Sequence, residues 1–366
     1  MIRQRSGKVS RATLLLLCFM ALLFSFVEGL SVRVRRSRDY ELKLASARLA
    51  QQALSLLKQE RDRLGLPIDS VNDPNGTGLI GLAYSAVNYG RSDISDALTS
   101  SNPDFAALFV ELLKNAGVRR GDSVGISWDG TYPALNVNLL AAVTVLALRP
   151  VIVTAQTSSS WGANYPGFTW LDQERCLRKS GIWLYRSCLA TLGGADDAGR
   201  GLSPEGRFLL AAAADSAGVE LFIPESLCQG IERRLELFSG CRTVVVIGRS
   251  AVDFGGTETK VASRLYTSRP RSMAPEGLVP SLLCRGKRVV YGGDPSRMAA
   301  DFRLPVAPVP IPEFGKSRLY VERRYSVILA LCLASVLLGL LWFVVRYDVE
   351  EILFGVSSGE FEQGAV

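Results

Sequence analysis

The sequence predicts an α/β fold, a mostly parallel sheet with flanking helices, anchored by an N-terminal and a C-terminal transmembrane helix. Short apolar segments alternate with helix-length segments between residues 123 and 291, which is typical of βαβ units. A long apolar run also lies near each end of the 366-residue chain. Hydrophobic residues make up 48% of the sequence, which excludes a disordered protein and supplies enough side chains for a core.

The two apolar runs differ in length. Residues 327–345 contain a single polar side chain, Ser335, and as a helix they span about 30 Å, the thickness of a hydrocarbon core. Residues 14–27 are shorter and have basic residues on both sides. Because residues 27–29 form a poor cleavage site, we expect an uncleaved anchor here, with a cleaved signal peptide as the alternative.

Two membrane spans place both ends of the chain on one side of a membrane and the central domain on the other. The basic amino-terminal tail favours a cytoplasmic amino terminus and an extracytoplasmic domain, whereas a plain count of flanking Lys and Arg favours the reverse. Because the first helix usually dominates, we expect the domain to be extracytoplasmic. The expected segments are a basic tail (1–11), a transmembrane anchor (12–30), an amphipathic helix (39–64), the α/β domain (78–303), a proline-rich spacer (304–325), a transmembrane helix (326–346) and an acidic tail (347–366).

Periodicity and turn residues predict the elements between the anchors. Leucine and alanine recur at helical spacing within residues 39–64, and residues 69–78 are turn-rich, which predicts a linker. Further helices are predicted at residues 105–116, 132–148, 205–218 and 229–238, and strands at residues 123–128, 151–155, 219–223, 243–247 and 288–291.

The histidine content, the cysteine spacing and the charge of the sequence narrow the possible functions. The sequence has no histidine, which excludes a Ser-His-Asp triad, a histidine zinc site and a histidine general base. Its seven cysteines are scattered without a CxxC pair, so we expect neither a metal site nor a disulfide framework. The formal net charge of the chain is +7, and the excess basic residues gather beside the apolar runs. This pattern indicates that the protein contacts a membrane and argues against nucleic-acid binding.

Ligands bind beyond the carboxyl ends of the strands in an open parallel sheet, and three loops of the predicted domain carry polar clusters. A capped turn, an ordered Ω-loop and a solvated turn are the respective structural alternatives. The candidate ligand-binding residues are Ser127, Asp129, Thr131 and Asn136 in the first loop, Ser158, Ser159, Ser160, Trp161, Asn164, Asp172 and Glu174 in and after the second, and Asp197, Arg200 and Arg207 in and after the third.

The second and third loops suit particular ligand groups. The consecutive hydroxyls at 157–160 suit a carboxylate or phosphate, with a tryptophan as a wall. The paired aspartates at 196–197 suit a hard cation, but the EF-hand spacing is missing, and the nearby arginines suit an anion. Residues 248–250 and 255–256 form a fourth, weaker candidate. Proton transfer would fall to Asp129, Asp172 or Glu174, so the catalytic residues and any cofactor are unknown, and no metal is predicted.

Residues 121–174, and above all the stretches TSSSWGAN (157–164) and TWLDQE (169–174), resemble the poly-gamma-glutamate system protein family. The resemblance continues through GGADDAGRGLSPEGR (193–207). It departs at residues 244–250, which lack a Gly-Gly pair, and at residues 288–295, which lack a histidine.

The resemblance implies a bacterial inner-membrane protein, encoded beside poly-γ-glutamate synthesis and export genes. Its expected role is that of an accessory component of this capsule or polymer system. The implied partners are the synthase and export proteins and the anionic polymer. A membrane-anchored enzyme acting on γ-glutamyl or other anionic substrates is the alternative, and a domain that binds a sugar or an unrelated anion is a third possibility.

Overall fold

The computed structural model describes residues 11–31, 33–256, 261–324 and 326–347. The chain divides into a terminal unit, formed by the two chain ends up to Arg36 and from Val321, and a central unit, Ser37–Tyr320. The predicted basic tail and acidic tail lie outside the described residues, except for Arg11 and Tyr347 at their inner ends.

The described residues form eleven α-helices and eight β-strands. The helices are α1 (Arg11–Leu30), α2 (Tyr40–Arg63), α3 (Ile94–Ser100), α4 (Asp104–Asn115), α5 (Pro133–Val145), α6 (Trp170–Lys179), α7 (Pro204–Ala217), α8 (Leu227–Leu237), α9 (Leu278–Cys284), α10 (Pro295–Asp301) and α11 (Val327–Arg346). The strands are β1 (Arg33–Arg36), β2 (Ser123–Asp129), β3 (Arg149–Ala155), β4 (Leu189–Thr191), β5 (Thr243–Ile247), β6 (Leu265–Tyr266), β7 (Arg288–Gly292) and β8 (Val321–Arg324).

The central unit contains a six-stranded sheet in the order β4-β3-β2-β5-β7-β6. All neighbouring strands pair in parallel except β6, which lies antiparallel to β7 at the edge. The chain runs outward from β2 through β3 to β4 and then returns to β5 on the other side of β2. This order is that of a doubly wound sheet, and its topological switch point lies between β2 and β5. The predicted α/β fold with a mostly parallel sheet and flanking helices is therefore confirmed.

Hydrophobic cores lie on both faces of the sheet. One core joins α2, α4 and α5 to side chains such as Ile126 and Val245, and the other joins α9 to side chains such as Val246 and Val289. Helix α5 packs against α2 and α4, and 11 of its 13 residues are buried. Its sequence is apolar on every side because protein surrounds it, not because it meets lipid.

The terminal unit consists of α1, α11 and a two-stranded ribbon. β1 pairs antiparallel with β8, with Arg36 opposite Val321. The segments Thr13–Leu30 and Val327–Arg346 are long and apolar enough to cross a membrane, by length and composition, and few of their residues are buried within the protein. α1 also contacts α11.

Two segments differ from their prediction. Residues 219–223 make only one isolated bridge, between Ala190 and Leu221, because Pro224 follows at once and the segment lies at the sheet edge. The proline-rich spacer is not a free linker, since its residues up to Tyr320 belong to the central unit. Asn75 donates to the carbonyl of Pro308 and accepts from the N–H of Ile311, which fastens the extended chain to the domain.

Candidate functional site

The first and second predicted loops lie together at the carboxyl edge, the edge where β2, β3, β4, β5 and β7 end. The N–H of Gly130 donates to the carbonyl of Thr157 at 3.0 Å, and the carbonyl of Gly130 accepts from Ser158 Oγ, also at 3.0 Å. Thr131 Oγ1 donates to Ser159 Oγ at 3.3 Å. This closeness follows from topology, because β2 and β3 are parallel neighbours with Asp129 opposite Ala155.

The serines of the second loop are buried and make hydrogen bonds within the protein. Ser158, Ser159 and Ser160 are all buried. Ser159 Oγ donates to the carbonyl of Tyr89, and the carbonyl of Ser160 accepts from Ser92. Residues 79–93, which we call the cover segment, therefore lie on this loop. The cover segment thus packs against the hydroxyl-rich loop that we expected to bind a carboxylate or phosphate.

Asn164 and Trp161 also bind the cover segment to the second loop. The side chain of Asn164 is fully buried, accepts from the N–H of Leu82 and donates to the Leu82 carbonyl and to Asn88 Oδ1. Trp161 is half-buried and exchanges two backbone hydrogen bonds with Gly81 and Leu82. A Cβ at Gly162 would lie 2.5 Å from the carbonyl oxygen of Gly130, so this close approach of two loops requires glycine.

Asp172 and Glu174 do not face the serines. Thr169 and Asp172 form a capping box that starts α6, a helix that the sequence pattern does not predict, so Asp172 is committed to the helix end. Glu174 is buried and accepts from the N–H and the hydroxyl of Ser187. Burial raises the pKa of Glu174 to about 7, although the hydrogen bonds from Ser187 oppose the shift.

The Glu174 network lies on the face of the sheet opposite Asp129. Ser187 Oγ shares a hydrogen bond with Thr154 Oγ1 at 2.7 Å, and Trp128 Nε1 donates to Thr154 Oγ1 at 2.6 Å. Trp128 and Asp129 are consecutive strand residues, so their side chains point to opposite faces. Two of the carboxylates proposed for proton transfer, Asp129 and Glu174, therefore occupy separate environments.

The third loop splits into a buried part and an exposed part. Asp197 is buried, accepts from Thr191 Oγ1 and forms an ion pair with Arg234 of α8, which is also buried. Arg200 pairs with Asp196, and its side chain is 70% exposed. Arg207 is also exposed. Asp197 is thus a structural partner of Arg234, whereas the two predicted arginines remain on the surface.

Asp129 bridges the two strands at the topological switch point. Its Oδ1 accepts from the N–H of Thr131 and its Oδ2 accepts from the N–H of Arg249, both at 2.8 Å. Asn136 Nδ2 donates to the Asp129 carbonyl at 2.9 Å. Burial raises the pKa of Asp129 to about 6, while the hydrogen bonds from Thr131 and Arg249 lower it. Ser127 is buried earlier in the same strand.

Several residues at this edge escape the sequence analysis. Tyr132 donates to Asp96 Oδ2 at 3.3 Å, and Asp96 Oδ1 accepts from the N–H of Ser296 at 3.1 Å. Burial, followed by the charge of Asp129, raises the pKa of Asp253 well above its usual range. No local sequence pattern identifies Asp96 or Asp253 as site residues, because the residues that each one contacts at this edge are brought close by the fold. Gly248 and Arg249, by contrast, carry the weak signal of a glycine after a strand.

One buried side chain at the edge lacks partners. Gln156 follows β3, is 1% exposed, and neither its Oε1 nor its Nε2 has a hydrogen bond. Such a group suits a small polar ligand or a water molecule. Among the described residues, no three His, Cys, Asp or Glu side chains gather in an arrangement that could hold a metal ion.

The fold and the site together define a doubly wound α/β domain whose polar carboxyl edge is partly covered by its own chain. Comparisons of this chain with protein-family models, with curated proteins and with solved structures found no match.

Proposed function

We propose that this chain is an accessory membrane component of a bacterial poly-γ-glutamate synthesis or export system, and that it binds the polymer, its precursor or the synthase partners. The resemblance of residues 121–174 and 193–207 to that family supports the proposal. The observation that carries the proposal is which polar groups remain available at the carboxyl edge. The hydroxyls of Ser158 and Ser159 donate to backbone carbonyls within the protein, whereas Arg200, Arg207 and Arg249 remain exposed, as suits binding of an anion.

The proposal is tested by deleting the gene and by assaying the purified protein. We expect the deletion to lower the yield of polymer, and a plasmid copy to restore it. The full chain in detergent should bind γ-linked glutamate polymer without changing the polymer's length. Normal polymer yield in the deletion strain contradicts the proposal.

We further propose that α1 and α11 both cross the cytoplasmic membrane and that the central unit is extracytoplasmic. Exposed apolar side chains along both helices support this, as does the pairing of β1, which follows α1, with β8, which precedes α11. Strands paired in this way leave the bilayer on the same side.

Cysteine labelling tests the orientation. Cys188, Cys228 and Cys284 are exposed in the central unit. We expect a membrane-impermeant maleimide to label the protein in intact cells. A variant with serine at these three positions is the control, and it should lose the signal. Labelling that occurs only after permeabilisation would place the domain in the cytoplasm.

An anchored enzyme acting on γ-glutamyl or other anionic substrates is the second candidate. It is favoured by Asp129 and Asp253, two buried carboxyls with raised pKa values at the switch point, where burial separates acid and base roles in enzymes. Shortening or transfer of the polymer by the purified protein, abolished in Asp253→Asn, would select this candidate over the accessory role.

A further inference from the structure

Arg249 occupies the topological switch point of the sheet. It follows β5 by two residues, where the loops after β2 and β5 lead in opposite directions. Ligands of doubly wound proteins bind in the crevice that this divergence opens. The Arg249 side chain is 45% exposed, so it is accessible from solvent.

The guanidinium of Arg249 retains unused donors. Its Nε donates to the carbonyl of Gly293 at 3.3 Å, while its Nη2 lies 4.0 Å from Asp96 Oδ2, beyond hydrogen-bond distance. The oxygens of Asp96 already accept from Ser296 and Tyr132. Within the described part of the chain, Arg249 makes no other side-chain hydrogen bond or ion pair, so Nη1 and Nη2 can receive a planar anion.

The backbone of Arg249 is held firmly by Asp129. The Asp129 carboxylate accepts from the N–H of Arg249 and from the N–H of Thr131. It also packs so closely on Gly248 that a Cβ there would lie 2.2 Å from Asp129 Oδ1. Because Asp129 is 3% exposed, solvent does not compete for these bonds.

We propose that Arg249 binds a carboxylate of the glutamate polymer or its precursor in the crevice between β2 and β5, and that Asp129 is the positioning residue that sets the Arg249 backbone. This inference rests on the proposed function and names the residue that contacts the ligand. A carboxylate is the favoured ligand group because it accepts two parallel hydrogen bonds from one guanidinium.

Ligand binding should then depend on the protonation of Asp129. The groups that face its carboxyl are Arg249 and Asp253 from the loop after β5, Tyr291 from β7 and Tyr132 before α5. With a pKa of about 6, Asp129 gains a proton in mildly acidic solution, and a protonated oxygen no longer accepts well from Arg249 N–H. The free carboxylates of a γ-linked glutamate polymer are α-carboxyls, with an ordinary pKa of about 3.5, so they remain ionised in the same range.

The test uses the full chain in detergent and a γ-linked glutamate decamer as the probe. At neutral pH we expect Arg249→Ala to weaken binding about tenfold or more, and Arg249→Lys to weaken it less, since lysine keeps the charge but loses the paired geometry. Arg120→Ala is the matched control, because Arg120 is exposed three residues before β2, at the opposite edge of the sheet. It should bind as the wild type does.

The positioning role of Asp129 is tested by the pH dependence of binding. Wild-type affinity should fall as the pH drops through about 6, and Asp129→Asn should bind more weakly at neutral pH and lose this dependence. Thermal unfolding of each variant reports whether it is folded. If Asp129→Asn does not fold, a wild-type profile without the decline still overturns the positioning role.

The outcomes separate this inference from the proposed function. Wild-type binding that survives Arg249→Ala unchanged overturns the inference and leaves the proposed function standing. A wild-type protein that does not bind the decamer removes ligand binding from the proposed function, and the inference fails with it. Weakening by Arg120→Ala to the same extent as Arg249→Ala would indicate a diffuse charge effect and also overturn the inference.

Discussion

Asp197→Asn is expected to lower the free energy of unfolding by about 3–5 kcal/mol, because it leaves a buried guanidinium without its counter-charge. Asp197 and Arg234 have side chains that are 0% and 1% exposed. Thr191 Oγ1 donates to the same carboxylate and accepts from Arg234 Nη2. Asparagine is the suitable replacement because Asp197 has a φ of 65°, a conformation that asparagine tolerates. Chemical unfolding of the full chain in detergent measures the loss.

The neighbouring residue supplies the control for this prediction. Asp196 pairs with Arg200 at the surface, where the two side chains are 22% and 70% exposed, so Asp196→Asn should cost less than about 1 kcal/mol. Combining Asp197→Asn with Arg234→Met removes both charges and should recover part of the loss. Equal stability of the Asp196 and Asp197 variants would show that the buried pair does not hold the third loop to α8.

Glu174→Gln is expected to stabilise the protein in alkaline solution. The pKa of Glu174 is raised from 4.5 to about 7, chiefly by burial. The folded protein therefore holds this proton more tightly than the unfolded chain does. The stability that the proton contributes is fully present below about pH 4.5 and is lost as the pH rises through about 7. The full loss corresponds to about 3 kcal/mol.

Glutamine keeps the shape of the side chain and carries no proton to lose. Its oxygen can accept from the N–H of Ser187, and its amide can donate to Ser187 Oγ, with the hydroxyl reversing its direction. We expect the variant and the wild type to be similar in stability at about pH 4.5 and to diverge up to about pH 8. Glu236→Gln, at a residue whose side chain is 66% exposed, is the matched control. A constant difference between variant and wild type across this range would contradict a buried, titrating Glu174.

Local patterns predicted the long elements well. Alanine and leucine at helical spacing mark α2, and the apolar runs that become β2 and β5 are buried almost throughout, as central parallel strands require. The pattern fails where elements are short or polar. β4 has three residues, and α6 carries more polar than apolar side chains, so periodicity is too weak to reveal them.

The location of the candidate site was predictable from the sequence, but which of its side chains are free to bind a ligand was not. Loops after neighbouring parallel strands must converge, and Thr131 does meet Ser159. Which hydroxyls stay open depends on the cover segment, whose Tyr89 accepts from Ser159 across 70 positions of the chain. No short motif signals such a contact, since the two partners lie far apart in the sequence.

The sequence by itself determined that two long apolar helices flank an α/β domain, because helix length, apolar content and strand alternation are properties of neighbouring residues. It also determined that histidine chemistry has no part in this protein. Only the tertiary structure decided that Asp129 holds the backbone of Arg249, 120 positions away, while Asp197 neutralises Arg234. The physical reason is that a buried carboxylate must find donors, and the fold, not the local sequence, supplies them.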